Sequence, residues 1–283
     1  GGFFLTGGLR YTRDTVNDAY YTVGAARTTT TLPQLKTSRL TPRLVARYEF
    51  TPDTNIYASY SRGYKAAIYN VGGLVNDVIK PEELDAFEVG IKHAAGGLRA
   101  NIAGWYYNYR QQQVVAGVLV NGIPVSRITN AASSKMYGID ADVAYRLAPG
   151  LDISASAAWS HNRYDTFEAA PLVVHNSNGS FSTLTQDASG FRMLRSPDFS
   201  GNLGVSYETG LAEGKLVLSG NLYYTSSFYF DAGNQFRQGA YETLGLRAEW
   251  TAPSDRYSLA ISGKNVTDNR YYTQVASNAL GVA

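Results

Sequence analysis

Apolar and polar residues alternate with a period of two about eleven times along the chain, a pattern made by strands with two unlike faces. In residues 98–109, one face holds Leu98, Ala100, Ile102, Gly104 and Tyr106, and the other begins Arg99, Asn101. Leu151, Ile153, Ala155, Ala157 and Trp159 alternate with Asp152, Ser154 and Ser156. Leu216, Leu218, Gly220, Leu222 and Tyr224 alternate with Lys215, Ser219, Asn221 and Thr225. The same reading serves residues 3–12, 43–50, 55–61, 87–92, 137–146, 199–208, 244–250 and 257–264. The apolar face carries no Asp, Glu, Lys or Arg until Arg62, beyond the end of its strand.

Two such faces need two solvents. A soluble antiparallel sandwich also alternates, but its apolar faces interlock and favour Val, Ile and Phe. Here Ala and Gly thin the face between Leu and Tyr, which suits a surface turned toward lipid. Charged residues make up 17% of the 283, against about 25% in soluble domains. No run of eighteen apolar residues exists, so a transmembrane helix is excluded. A net charge of +2 without a basic cluster gives no footprint for nucleic acid. The absence of Cys fits passage through an oxidising periplasm, as it fits many cytosolic proteins.

The connections orient the strands. Short turns at 51–54, 94–97, 148–150, 210–214 and 253–256 alternate with long polar connections at 14–38, 67–81, 114–125, 164–196 and 230–239. Outer-membrane barrels place short turns on the periplasmic side and long loops outside. Strands leaving short turns end in Tyr11, Tyr60, Tyr106, Trp159 and Tyr224, and strands entering them end in Phe50, Tyr145, Tyr207 and Trp250. Two aromatic girdles are expected where rings sit at headgroup level. The expectation is an all-β, transmembrane antiparallel β-barrel, here a partial barrel of about eleven strands occupying residues 1–283. Gly1-Gly2-Phe3-Phe4-Leu5 starts inside an alternating pattern with no signal peptide, which reads as a fragment.

Several segments resemble the barrel of TonB-dependent receptors. Gly8-Leu9-Arg10-Tyr11-Thr12-Arg13-Asp14 is similar to a strand end of that family, and Tyr57-Ala58-Ser59-Tyr60-Ser61-Arg62-Gly63-Tyr64-Lys65 to a hairpin end. Lys80-Pro81-Glu82-Glu83-Leu84, Tyr137-Gly138-Ile139-Asp140 and Asn265-Val266-Thr267-Asp268-Asn269-Arg270-Tyr271-Tyr272 resemble further family segments, in family order. The resemblance implies a 22-stranded barrel with an N-terminal plug and a TonB-contact segment. On that reading the plug, the first barrel half and the closing strand are missing here. It further implies a bacterial outer-membrane receptor for TonB-driven uptake of a scarce ligand, most often a ferric siderophore. TonB, outer-membrane lipid and lipopolysaccharide are the implied partners. A passive porin-like channel is the alternative, since it shares the alternation and the girdles.

No catalytic constellation is present, so no enzyme activity is expected, and no cofactor. His93, His161 and His175 lack metal-site spacing, so no metal site is expected. Inward charges such as Arg43, Arg47, Glu49, Glu88, Lys92, Asp140, Asp142, Arg146, Arg247 and Glu249 read as salt-bridged walls and plug contacts. Arg62, on the outward phase, reads either as a contact to lipopolysaccharide phosphate or, more simply, as a rim residue. The ligand-binding candidates are Tyr69, Asn70, Arg127, His175, Arg192 and Arg195 in and beneath the long loops. Their side chains can stack on, or pair with, an anionic aromatic ligand.

Overall fold

A computed structural model describes the chain except residues 18–19, 24–27, 71–77, 121–122, 169, 178–180 and 276–283. It gives the backbone alone at 20–23, 28–30, 115–120, 123–127, 131–132, 171, 175, 181 and 183. The described residues form strands β1 (Gly2–Val16), β2 (Tyr20–Val23), β3 (Thr28–Thr31), β4 (Leu35–Thr51) and β5 (Thr54–Lys65). There follow β6 (Ile68–Tyr69), β7 (Val78–Ile79), β8 (Glu82–Ala95), β9 (Leu98–Val120), β10 (Ile123–Ala148) and β11 (Leu151–Thr166). The last are β12 (Ala170–His175), β13 (Phe181–Gln186), β14 (Phe199–Leu211), β15 (Gly214–Thr225), β16 (Phe228–Tyr229), β17 (Arg237–Gln238), β18 (Tyr241–Thr251) and β19 (Ser258–Gly263).

Eleven of these make one antiparallel meander in the order β1-β4-β5-β8-β9-β10-β11-β14-β15-β18-β19, with β1 and β19 as open edges. Every expected alternating segment is one of its strands. At one end the turns are tight. Gly96 and Gly97 take φ of +59° and +81°, and Ala212 and Glu213 take +49° and +59°, the left-handed pairs that close two-residue hairpins. At the other end the connections carry small sheets of their own, β2–β3, β6–β7, β12–β13 and β16–β17.

One expected long connection is not a loop. Residues 114–120 continue β9 and residues 123–125 belong to β10, and the two strands stay paired from Leu98↔Tyr145 up to Ile123↔Val120. The sequence there is rich in β-branched residue types (Val114, Val115, Val118, Val120, Ile123, Val125 and Ile128), which favour a ladder over a loop. The hairpin therefore rises well above the rest of the wall.

The apolar phase of the sheet has no protein against it. Leu5, Leu9 and Tyr11 are 64–69% exposed, and Val89, Ile139 and Leu203 are 47–61% exposed. The buried apolar residues lie elsewhere: Ala67, Tyr69, Ile79, Val114, Tyr164, Phe167, Ala170, Ala188, Met193 and Phe230 all sit at the long-connection end. A sandwich would have buried the strand faces against each other. Here the faces stay open, and the only packed cluster among the described residues is a cap of connections. The expected girdle takes shape as a cross-strand row, Tyr60↔Phe87, Phe87↔Tyr106 and Tyr106↔Tyr137. The Tyr60 and Phe87 rings lie 4.9 Å apart.

Candidate functional site

The long-connection end is built from three parts that the sheet brings together. The first is a small core. Val114 from β9, Tyr164 from β11 and Phe167, Ala170, Ala188 and Met193 from the β11–β14 connection pack as one cluster. The Tyr164 and Phe167 rings meet edge to face at 5.0 Å. Returning past this core, the chain bonds back to β11, with the Tyr164 N–H donating to the Phe191 carbonyl at 3.1 Å and Gly190 N–H to the Tyr164 carbonyl at 2.7 Å. Burial pushes the Tyr164 phenol up to about 12. The Ser189 hydroxyl and N–H hold the Asp187 carboxyl below its ordinary range.

The second part is a set of side-chain amides that clamp one connection to another. Asn70 donates to the Ile128 carbonyl at 3.0 Å and accepts from the Ile128 N–H at 3.2 Å. Asn130 treats Lys80 likewise, at 3.0 and 2.9 Å. Asn234 does the same to Arg192, at 2.9 and 3.2 Å, and Gln235 to Val173, at 2.8 and 3.1 Å. Each amide mimics a peptide unit and adds one rung of ladder between segments that no regular strand pairs. An Asp231 carboxylate accepting the N–H groups of Gln235 and Phe236 fixes the turn that presents the last two.

The third part is ionic. Above Arg43↔Ser61 the ladder between β4 and β5 ends. Arg39 of β4 reaches past β5 to β8, its Nε 2.7 Å from Glu83 Oε1. Arg110 holds Glu83 at 3.2 Å and Asp85 at 2.7 Å. Asp85 also receives Arg62, with Nε to Oδ1 at 2.7 Å and Nη2 to Oδ2 at 3.1 Å, and the Tyr60 hydroxyl at 2.8 Å. Three guanidiniums thus share two carboxylates. Arg62 engages Asp85 through both of its bonded nitrogens, a structural tie at the rim. On the inward wall the expected salt bridges are Arg47–Glu49 at 3.1 Å, Arg146–Asp152 at 3.1 Å and Arg247–Glu249 at 2.7 Å.

The six ligand-binding candidates fall into two groups. Tyr69 is buried, with its hydroxyl donating to the Pro33 carbonyl at 2.6 Å, and it adjoins Asn70. Asn70 joins the β5–β8 connection to β10 beside Arg127, whose side chain lies outside the described residues. The His175 side chain also lies outside them, although its backbone ends β12. Arg192 is half-buried, ion-paired to Asp198 and bonded through Nη1 to the Ser227 carbonyl at 3.2 Å. Arg195 is exposed, stands at φ +54° and holds its guanidinium 5.6 Å from the centroid of Phe230. It makes no ion pair among the described residues, so its charge is the one among the four described candidates that faces solvent. Sequence reasoning missed Asn130, Asn234 and Gln235 as clamps, because nothing local marks a loop amide for a distant backbone. The knot of Arg39, Glu83, Asp85 and Arg110 did leave a signal. Continuing the apolar phase past Phe87 and Tyr106 lands on charge.

Comparison with known proteins agrees with this architecture. The sequence model of the family described as "TonB dependent receptor-like, beta-barrel" matches residues 1–266. The pesticin receptor of Yersinia enterocolitica is 25% identical over 279 residues, 96% of this chain and 37% of that protein. The ferripyoverdine receptor of Pseudomonas aeruginosa is 23% identical over 253 residues, 85% of this chain and 28% of that protein. The ferric yersiniabactin uptake receptor of Yersinia pestis superposes with a TM-score of 0.78 at 20% identity, over 98% of this chain and 40% of that structure. The chain therefore spans well under half the length of these relatives.

Proposed function

Because this chain belongs to the TonB-dependent receptor β-barrel family, we propose that it forms a sector of the wall and crown of a receptor for active uptake across the bacterial outer membrane. The ligand class is a ferric siderophore. One observation carries the reading: a family match over residues 1–266 coincides with a wall whose apolar face is open and whose polar face is salt-bridged. Relatives named for ferric yersiniabactin and ferripyoverdine support the ligand class. So does an exposed guanidinium beside an aromatic ring, Arg195 over Phe230, which suits an anionic chelate with aromatic groups. TonB is the proposed source of work, acting through parts of the receptor outside this sector.

The test is uptake of radiolabelled ferric siderophores by iron-starved cells carrying the receptor, with and without TonB. Accumulation that requires TonB and falls about tenfold in Arg195→Ala supports the reading, a loss equivalent to one charge-assisted contact. Uptake that persists without TonB and grows linearly with concentration would replace it with a passive channel. TonB-dependent uptake unchanged by Arg195→Ala would remove Arg195 from the ligand path and leave the class standing.

A further inference from the structure

The wall carries a seam between β4 and β5. The two strands are laddered from Thr51↔Thr54 up to Arg43↔Ser61 and no further. Yet β4 extends to Leu35 against β1, and β5 to Lys65 against β8. The sequence places a break on each side of the seam. Pro42, next to the last rung, has no N–H to donate, and proline in strands belongs to edges and bulges. Gly63, which a continued register would set opposite Thr41, brings no side chain to a cross-strand pair. Above that rung no backbone-to-backbone bond joins the two arms among the described residues. Every tie there involves a side chain. The Tyr64 hydroxyl donates to Asp14, and Arg39 Nε lies 2.7 Å from Glu83 Oε1. Higher up, the Ala67 N–H donates to the Thr37 hydroxyl at 3.3 Å and the Tyr69 hydroxyl to the Pro33 carbonyl at 2.6 Å.

The two arms enclose a cavity of about 420 Å³. Arg10, Thr12, Asp14 and Thr41 line it from the inward phase of β1 and β4, and Arg62 and Tyr64 from the outward phase of β5. Side chains of opposite phase share one space, so the cavity runs from one face of the wall to the other. Its height decides what it can open onto. Arg62 is the next outward position above Tyr60 of the girdle, so the seam begins where hydrocarbon ends. Backbone groups that the split leaves without a ladder partner can bond to water there, which hydrocarbon would forbid. The latches are also of a kind that releases. The Arg39 and Glu83 side chains are 37% and 25% exposed, and Glu83 keeps Arg110 at 3.2 Å when Arg39 lets go.

We propose that this seam is a side gate in the wall. Release of Arg39 from Glu83 and of Tyr64 from Asp14 parts β4 from β5 above Arg43↔Ser61 and opens a hydrophilic passage at the outer rim. Water and small polar solutes are what it passes, because charges and hydroxyls line it from both arms. The rung below and the tie between Ala67 and Thr37 above frame the opening, so it widens without unzipping the girdle or the crown. The inference rests on reading this wall as membrane-spanning and is independent of the ligand that the receptor imports.

The test places spin labels across the seam of the intact receptor in nanodiscs, at Thr41→Cys and Gly63→Cys. Residues 1–283 hold no Cys of their own, and a Cβ at Gly63 meets nothing within 4 Å. Dipolar broadening between the labels reports closure, and collision of the Gly63 label with a water-soluble nickel chelate reports entry of a small polar solute. Partly exposed pairs each shift an equilibrium by up to about fivefold. Breaking both latches in Arg39→Gln/Asp14→Asn should raise the open fraction about tenfold on both readouts. Arg39→Lys/Asp14→Glu, which keeps polar partners at both latches, should stay close to the native closure. A control pair, Ala46→Cys/Ala58→Cys, sits on a laddered rung beneath the seam and should not respond. Unchanged broadening and nickel collision in Arg39→Gln/Asp14→Asn would overturn the gate. So would a control response as large as that at the seam, which would mean general loosening of the sheet. If that variant does not insert, the native latches are tested in about 1 M salt, where the screening length falls to about 3 Å. Nickel collision that does not rise there overturns the proposal equally.

Discussion

Tyr164 shows how one side chain can set the pH range of a loop assembly. It is 1% exposed and sits where β11, the returning chain and Val114 meet. Its phenol is raised from 10.0 to about 12, chiefly because burial disfavours the phenolate. A folded value above the unfolded one means that the associated stability is complete below pH 10 and is lost as pH rises from 10 towards 12. Two units correspond to about 2–3 kcal/mol at the upper limit. The connection between β11 and β14 should therefore become cleavable by an alkaline-active protease such as subtilisin across that interval. Tyr164→Phe, which cannot ionise, should hold its resistance to higher pH. Identical cleavage profiles for the two proteins would show that Tyr164 does not govern the transition.

At the scale of elements, the hairpins at the tight-turn end depend on backbone conformations that few residues adopt. Gly150 ends the turn between β10 and β11 at φ +76°, and its carbonyl accepts the Glu208 N–H at 2.7 Å. A Cβ here would fall on the Glu208 carbonyl oxygen of the next strand. Gly150→Ala should cost at least about 1–2 kcal/mol from the left-handed backbone alone, more with the clash. Urea unfolding of the liposome-inserted receptor reads this as a lower midpoint. A midpoint within error of the native protein would mean that the turn relaxes without cost. Such elements were legible because two solvents impose a period of two, and because Gly96-Gly97 and Pro149-Gly150 announce turns. The extension of β9 to Val120 and of β10 from Ile123 is where the sequence expectation of a long connection fails. Short turns on one side imply long loops on the other, an implication that the run of Val and Ile contradicts here. The crown was legible only in outline. Asn70 reads from sequence as a polar loop residue fit for a ligand, and in the fold its amide holds Ile128, a partner 58 positions away that no local pattern names. Arg192 reads as a loop cation for an anionic ligand, and in the fold its charge is met by Asp198. Arg195 is exposed and makes no ion pair among the described residues.

At the scale of the whole molecule, the sheet itself poses a problem that its residues do not solve. Among the described residues β1 pairs only with β4, and β19 only with β18, so within them each edge presents a row of backbone N–H and C=O groups without a ladder partner. The side chains beside those edges, Leu5, Leu9, Leu259 and Ile261, are apolar and at least 64% exposed, which puts the edges at the depth of hydrocarbon. Each unpaired backbone group there costs several kcal/mol, far more than the β1–β4 ladder can offset. The wall is stable in a bilayer only when further strands pair both edges, consistent with its covering 37% of the pesticin receptor of Yersinia enterocolitica. Residues 1–283 expressed alone and refolded into detergent or liposomes should therefore give edge-paired aggregates rather than a barrel. The check is electrophoretic: a closed barrel migrates faster unheated than boiled, and an open sheet shows no such shift. A monodisperse, heat-modifiable and protease-resistant monomer from this chain alone would mean that the eleven strands can curl and pair β1 with β19, which would make the sector a barrel in its own right.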